Sequence, residues 1–381
     1  MNARLRLLPL LAAAVLSAVS APSASAQSDI LLRMRSGSPL GDRFRVDSAG
    51  GLVVIGRIGY GIIPASGPGQ RLMYHPFKAA FRAGEVNVSQ WDDASIGFYS
   101  WAGGLNTTAS AFGTFAFGDN VTVSGTDAAG FGSASEVRGT AAFSAGASNH
   151  ACGFASVAIG FTNTTGELDG GGSCSTGSGQ GAVAIGYRAT ADADYSVAIG
   201  HRASTNGRTG AIVFADASTT DSVEASANNQ FSVRAAGGYR LYSNATKTTG
   251  VSINAGGSSW NVISDRNRKM DFAALDGEDV LTRLRRVPVS EWRYIGEEDR
   301  AVRHIGPMAQ DWHAAFGLNS DDRTINMSDL DGVNLAAVKA LEARTTDLAR
   351  QVAERDARIE SLEARIARLE ALVNAQAAPK P

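Results

Sequence analysis

Ser264 and Lys269 are the residues of this 381-residue chain whose types and spacing could do covalent chemistry. They stand five apart in SSWNVISDRNRKMDF, Ser258 to Phe272. A serine hydroxyl is a poor nucleophile until a base takes its proton, and a lysine amine can be that base once desolvation lowers its pKa towards neutrality. The nearest target is the chain itself. Attack by Ser264 Oγ on the Ile263 carbonyl passes through a five-membered ring, whereas attack on its own carbonyl needs a strained four-membered one. The favoured bond is therefore Ile263–Ser264, with cleavage after Ser264 left to water or another chain's nucleophile. Spacing alone keeps the ordinary alternative open, a serine capping a helix beside a solvated lysine.

Other chemistry-bearing types do not form constellations. His75, Asp92 and Asp93 read as surface or capping residues rather than an acid–base set. The five histidines (His75, His150, His201, His304, His313) and two cysteines do not combine into a spaced four-ligand zinc set, so no metal or cofactor is expected. Paired carboxylates of the glycosidase kind are missing from the middle of the chain. A formal charge of -2 gives no basic excess with which to track nucleic-acid phosphates.

The first residues read as an address. Arg4 and Arg6 precede an apolar run from Leu7 to Val19, and Ala24-Ser25-Ala26 offers the small residues that a signal peptidase accepts, so residues 1–26 are expected to be removed on export. No later apolar run could anchor the mature chain in a membrane. In an oxidising compartment Cys152 and Cys174, 22 residues apart, are expected to close a disulfide, with two buried free thiols as the alternative.

The elements that must carry these residues are set by glycine spacing. The signature small-apolar-Gly ends at Gly118, Gly132, Gly146 and Gly160, fourteen apart, and again at Gly186 and Gly200. One insertion, about Leu168 to Gly179, accounts for the longer interval. Fourteen residues are too few for a helical repeat and suit one coil of a β-solenoid. Within Ser196 to Gly200, alternation sends Val197 and Ile199 to one side and Ser196 and Ala198 to the other. From Trp101 to Gly207 only ten of 107 residues are charged, so the surface is hydroxyl, amide and methyl. Calcium-binding solenoids need a periodic Asp that this repeat lacks. Asn-x-Ser/Thr sequences at Asn106, Asn120, Asn163 and Asn244 are read as turns and hydroxyl ladders.

These units resemble the heads of YadA-type trimeric autotransporter adhesins over about Ser95 to Ala217. Phe117 and Phe131 take the Ile position, and Phe143 the Val position. The resemblance implies left-handed parallel β-rolls packed three to a bundle. Further on, Ser264-Asp265-x-x-x-Lys269, His304-Ile305-Gly306 with Ala309-Gln310, and the apolar-periodic run Asp331 to Arg344 resemble the intramolecular chaperone of endosialidase tail spikes, a self-cleaving serine peptidase, over about Ser264 to Leu369. That resemblance implies Ser264 as nucleophile and Lys269 as base. His304 matches a position of the pattern that could orient them or the cleavage loop, with a histidine satisfied in the core as the alternative. Asp271 stands where relatives often carry Asn.

A seam follows. Val338, Thr345, Val352, Ile359, Ile366 and Val373 recur every seven residues, with Leu341, Leu348, Leu362 and Leu369 three later and Arg355 as the exception. This is a coiled-coil pattern whose β-branched-then-Leu order leans to two strands, against the three that both resemblances imply. Glu354, Arg358, Glu360, Arg365 and Arg368 fill its other faces.

The expected fold is mainly β: a trimeric left-handed parallel β-roll head, then a small α/β chaperone domain and a coiled-coil helix. The divisions are leader 1–26, β cap 27–94, head 95–217, connector 218–263, auto-processing chaperone 264–335 and coiled coil 336–375. The expected function is that of an exported bacterial trimeric fibre or adhesin, secreted or at the cell surface. Its chaperone drives assembly and then cuts near Ser264, once per chain, with no turnover on outside substrates. A prophage tail fibre with the same chaperone is the alternative. The partners expected are two further copies and a host-surface, matrix or glycan ligand.

Overall fold

The structure, a computed structural model, describes residues 30–36, 41–175 and 177–377. The leader 1–26 lies outside the described residues. The chain divides between Gly237 and Gly238 into two compact units.

The first unit is built on a β-roll. Each coil is a five-residue strand, a tight turn, a two-residue strand and a second turn, as in Val183–Tyr187 followed by Thr190–Ala191. Successive long strands pair in parallel and in register, Val183 with Val197, Ala184 with Ala198 and Gly186 with Gly200. The long strands form an eleven-stranded sheet and the short ones an eight-stranded sheet. The larger sheet opens with the antiparallel hairpin Gly69–His75 and Ala80–Val86 and runs on to Phe231–Arg234, past both ends of the glycine signature. A separate antiparallel sheet, Ile30–Ser36, Gly41–Asp47 and Leu52–Val54, precedes it.

The roll is thin, so its interior admits only small side chains. Ala102, Ala116, Gly130, Ser144, Ala158, Ala184 and Ala198 form one buried inward column. Where that column narrows to Gly130, the facing side fills the space: a methyl added there would meet Val121 and Val123 at 2.9 Å and Val137 at 3.1 Å. Val197 and Ile199 occupy the outer face, and Ser196 and Ala198 the inner one. The larger apolar residues of the repeat thus point away from the chain's own core.

The signature glycine is required twice over. Gly160 has φ +118°, and a Cβ on it would run into the carbonyl oxygen of Gly186 in the next coil. Two residues on, non-glycine residues also take the left-handed conformation, Ala134, Ser148 and Thr162 among them. Each donates its N–H to the preceding coil, Ser148 to Ser133 O at 2.9 Å for example, which offsets the steric cost.

At the start of the roll Arg82 is fully buried in register with Ala102. Its guanidinium donates to Phe81 O (2.8 Å), Ser100 O (3.0 Å), Ser100 Oγ (2.9 Å) and Ala109 O (2.9 Å), closing the end of the inward column. Burial lowers its pKa to about 10.

The second unit begins with an antiparallel sheet of Gly238–Tyr242, Gly250–Asn254 and Asn261–Val262. Helices α1 (Gly277–Leu284) and α2 (Ala309–Phe316), a two-stranded ribbon Ser290–Trp292 with His304–Gly306, and the 51-residue helix α3 (Met327–Ala377) follow. Asp276 caps α1, accepting from Glu278 N at 2.9 Å. Gly317 ends α2 at φ +64°. Val280, Val287, Trp312, Val333 and Ala337 form the core, so the first turns of α3 pack on their own domain. Arg344 Nε donates to Glu278 Oε1 at 2.8 Å, which marks the end of that packed stretch. Beyond it the heptad residues Leu348, Val352, Ile359, Leu362, Ile366, Leu369 and Val373 are all exposed in the single chain. Among the described residues no helix is long and apolar enough to cross a membrane.

Candidate functional site

Ser264 leaves the edge of the sheet that ends at Val262. Ile263 is half-buried and its N–H reaches Gly250 O at 3.3 Å, so the residue before the serine is tied to the sheet. Asp265 then caps a single tight turn, Arg266–Arg268, its carboxylate accepting from Asn267 N at 2.9 Å. That turn folds the chain back and places Lys269 Nζ 2.7 Å from Ser264 Oγ as a donor. The residues paired by spacing are therefore paired in space, at hydrogen-bond distance. Asp271 has φ +58°, a conformation that Asn and Asp tolerate better than other side chains.

Ser264 and Lys269 are both exposed in the single chain. A protonated lysine donates to a serine but cannot take its proton, so a lysine base has to be neutral. Ser264 and Lys269 are thus held at hydrogen-bond distance, and the side chains of the single chain leave both open to solvent.

His304 is not hydrogen-bonded to this pair. Its Nε2 lies 3.2 Å from Glu297 Oε1, and its ring sits against Trp292 at 4.7 Å and Tyr294 at 5.6 Å between centroids. The ribbon that carries it turns it towards Glu297, so it braces the ribbon.

His75, expected at the surface, is buried, with 1% exposure. Its Nε2 is 2.7 Å from Asp93 Oδ1, and Lys78 Nζ lies 3.3 Å from the same oxygen. The His75 hydrogen bond and the nearby Lys78 hold the Asp93 carboxyl below its ordinary range. Asp92 accepts the Gly67 N–H at 2.6 Å. These contacts fasten the hairpin to the segment before the first coil, an arrangement invisible in chain spacing.

Cys152 and Cys174 are joined, with Cα atoms 5.0 Å apart, which ties the insertion to the roll. Around them Cys174 N donates to Glu136 Oε2 at 3.0 Å, and Arg138 holds Glu136 Oε1 at 3.0 Å and the Cys174 carbonyl at 2.5 Å. Burial pushes the pKa of His150 down, opposed by Glu136.

Of the four sequons, Asn163 is fully buried and Asn106 accepts from Asn87 N at 2.8 Å. Asn244 organises a turn, accepting from Thr248 N at 2.9 Å. Asn149, with the same role as Asn163 but no sequon, had no signal beyond its fourteen-residue spacing from it.

Comparison with known proteins gives two matches. Residues 264–317 match the family described as the chaperone of endosialidase, a peptidase family, and residues 178–203 match two copies of the YadA head domain repeat. Nothing matches among curated proteins or among solved structures. The chain thus joins a β-rich unit carrying repeats similar to those of the YadA head to a unit whose residues 264–317 are similar to the chaperone of endosialidase.

Proposed function

We propose that this protein is an exported trimeric fibre, adhesin-like in its head, whose C-terminal unit brings three chains into register and then severs the Ile263–Ser264 bond. The carrying observation is the 2.7 Å contact between Lys269 Nζ and Ser264 Oγ immediately after the sheet edge. In the deprotonated state Lys269 takes the hydroxyl proton as Ser264 Oγ adds to the Ile263 carbonyl. The C–N bond breaks, the proton passes to the freed amine of Ser264, and water hydrolyses the resulting ester. Each chain reacts once.

Two exposed surfaces support association. On the roll, the outer column Phe117, Phe131, Ala145, Ile159, Ile185 and Ile199 is an in-register apolar stripe that the single chain leaves open. On α3, the residues flanking the seam are complementary for parallel chains. Arg358 precedes Ile359 and Glu363 follows Leu362, and Arg365 and Glu370 repeat the arrangement one heptad on. Parallel packing sets each Arg beside a neighbour's Glu, whereas antiparallel packing sets like beside like. The number three rests on the similarity to both families. Association in register lowers the entropic cost of starting a parallel β structure, and a partner packed over Ser264 and Lys269 would supply the missing desolvation.

Intact mass together with sizing of the purified protein tests this reading. The expected product is a trimer of chains ending at Ile263, with Ser264→Ala leaving full-length chains of the same assembly state. Normal cleavage in Ser264→Ala would sink the assignment of the nucleophile, and a monomeric product would sink the fibre.

A further inference from the structure

Outside the Ser264 segment, one side-chain cluster gathers the types that ligate zinc. Glu136 and His150 are register partners in adjacent coils of the short-strand sheet, and Cys174 reaches them from the insertion. A carboxylate oxygen of Glu136, a ring nitrogen of His150 and Cys174 Sγ all lie within 4.8 Å of one another. Cys152, bonded to Cys174, brings a second sulfur next to that of Cys174. His150 Nδ1 is buried without a hydrogen-bond partner, 3.8 Å from Glu136 Oε2, which leaves an imidazole nitrogen facing the cluster with nothing to bind.

While the sulfurs are bonded to each other neither offers a thiolate, and the set is two ligands short. We propose that reduction of the Cys152–Cys174 bridge opens a four-ligand site, Cys152, Cys174, His150 and Glu136, that binds one zinc ion. A dithiol reductant supplies two electrons and two protons and becomes a disulfide itself. The metal ion then displaces the two thiol protons to solvent. Zinc takes sulfur at about 2.3 Å and nitrogen or oxygen at about 2.0–2.2 Å, so a tetrahedral set needs donor separations of roughly 3.3–3.8 Å. The Glu136, His150 and Cys174 atoms reach that by closing about 1 Å, and once the S–S bond is broken the two sulfurs move apart to it, both by side-chain rotation. Two thiolates and a carboxylate around a divalent ion leave one negative charge, and Arg138, already on Glu136 Oε1, lies beside it to balance the charge and orient the carboxylate. The insertion is then tied to the roll in either redox state, by the disulfide when oxidised and by the metal when reduced.

Cobalt titration of the purified protein, cleaved or not, tests this after anaerobic reduction and removal of the reductant. The reduced protein is expected to bind one equivalent of Co2+ with thiolate-to-metal charge-transfer absorption that Zn2+ abolishes, and the oxidised protein to show none. His150→Ala and Glu136→Gln should each weaken binding at least about 10-fold. The oxidised forms of both variants should keep wild-type size and melting temperature, which separates loss of a ligand from loss of fold. Absence of the charge-transfer band in the reduced protein overturns the site. Wild-type affinity in both variants reduces it to a pair of thiols and overturns it equally.

Discussion

Asn149 and Asn163 hold the same position in successive coils, and the side-chain oxygen of the first accepts the backbone N–H of the second at 2.9 Å. Asn163 repeats the act on Ala189 N at 2.8 Å and donates to Ile159 O at 2.7 Å and Gly186 O at 2.9 Å. Both side chains are buried, and every bond is to backbone, so the pair stitches three coils together.

Asn163→Ala therefore strands an N–H and two carbonyls and is expected to cost about 2–3 kcal/mol. Asn228→Ala, at an exposed asparagine outside the left-handed region, should stay within about 0.5 kcal/mol. Denaturant unfolding in the full-length Ser264→Ala background compares them, and equal midpoints would refute the ladder.

Gly160→Ala places a methyl against the Gly186 carbonyl at a left-handed φ, and about 2–4 kcal/mol of destabilisation is expected. Gly170→Ala, in the insertion with nothing within 4 Å, is the control and should shift the melting temperature little.

Arg82→Met removes the donors of Phe81 O, Ser100 O and Ala109 O and should cost about 3 kcal/mol. Burial holds the folded pKa at about 10, below its ordinary value, so the folded chain releases this proton first. Between those values the unfolded chain binds more protons, and the Arg82 contribution rises with pH; below about 10 it is constant. Melting of wild type against Arg82→Met across that range reads the difference, and a gap that narrows as pH rises would contradict the sign.

Lys269→Arg keeps a positive charge and a donor to Ser264 but cannot act as base near neutrality. Cleavage should slow at least about 100-fold with assembly intact, followed as the full-length band on denaturing gels. A wild-type rate would show that Lys269 is not the base.

In the uncleaved Ser264→Ala background, Arg358→Glu sets like charges side by side along a parallel seam and should destabilise the assembly by about 0.5 kcal/mol per contact, read as a lower melting temperature. Adding Glu363→Arg restores the pairing and the stability. No recovery in the double variant would point away from parallel chains in register.

Local and periodic features were legible in the chain. The fourteen-residue phase of Gly118 to Gly200 appears as in-register strands, because a solenoid repeats the same short-range conformation in each coil. Ser264 and Lys269 were legible as a pair because five residues and one capped turn are enough to bring them together. The heptads of α3 were legible because helical periodicity needs no partner to be seen.

What only the tertiary structure decided was which side is inside and who meets whom across coils. Alternation separates Val197 and Ile199 from Ser196 and Ala198 but does not name the inner face. The cross-section of the roll does: two sheets this close leave room for alanine and serine, so the larger side chains are turned outward. Likewise the burial of His75 and Arg82, the turn of His304 towards Glu297, and the meeting of Glu136, His150 and the two cysteines depend on contacts between residues far apart in the chain. Such contacts are fixed by how coils stack and close, a property of three-dimensional packing that no spacing along one strand encodes.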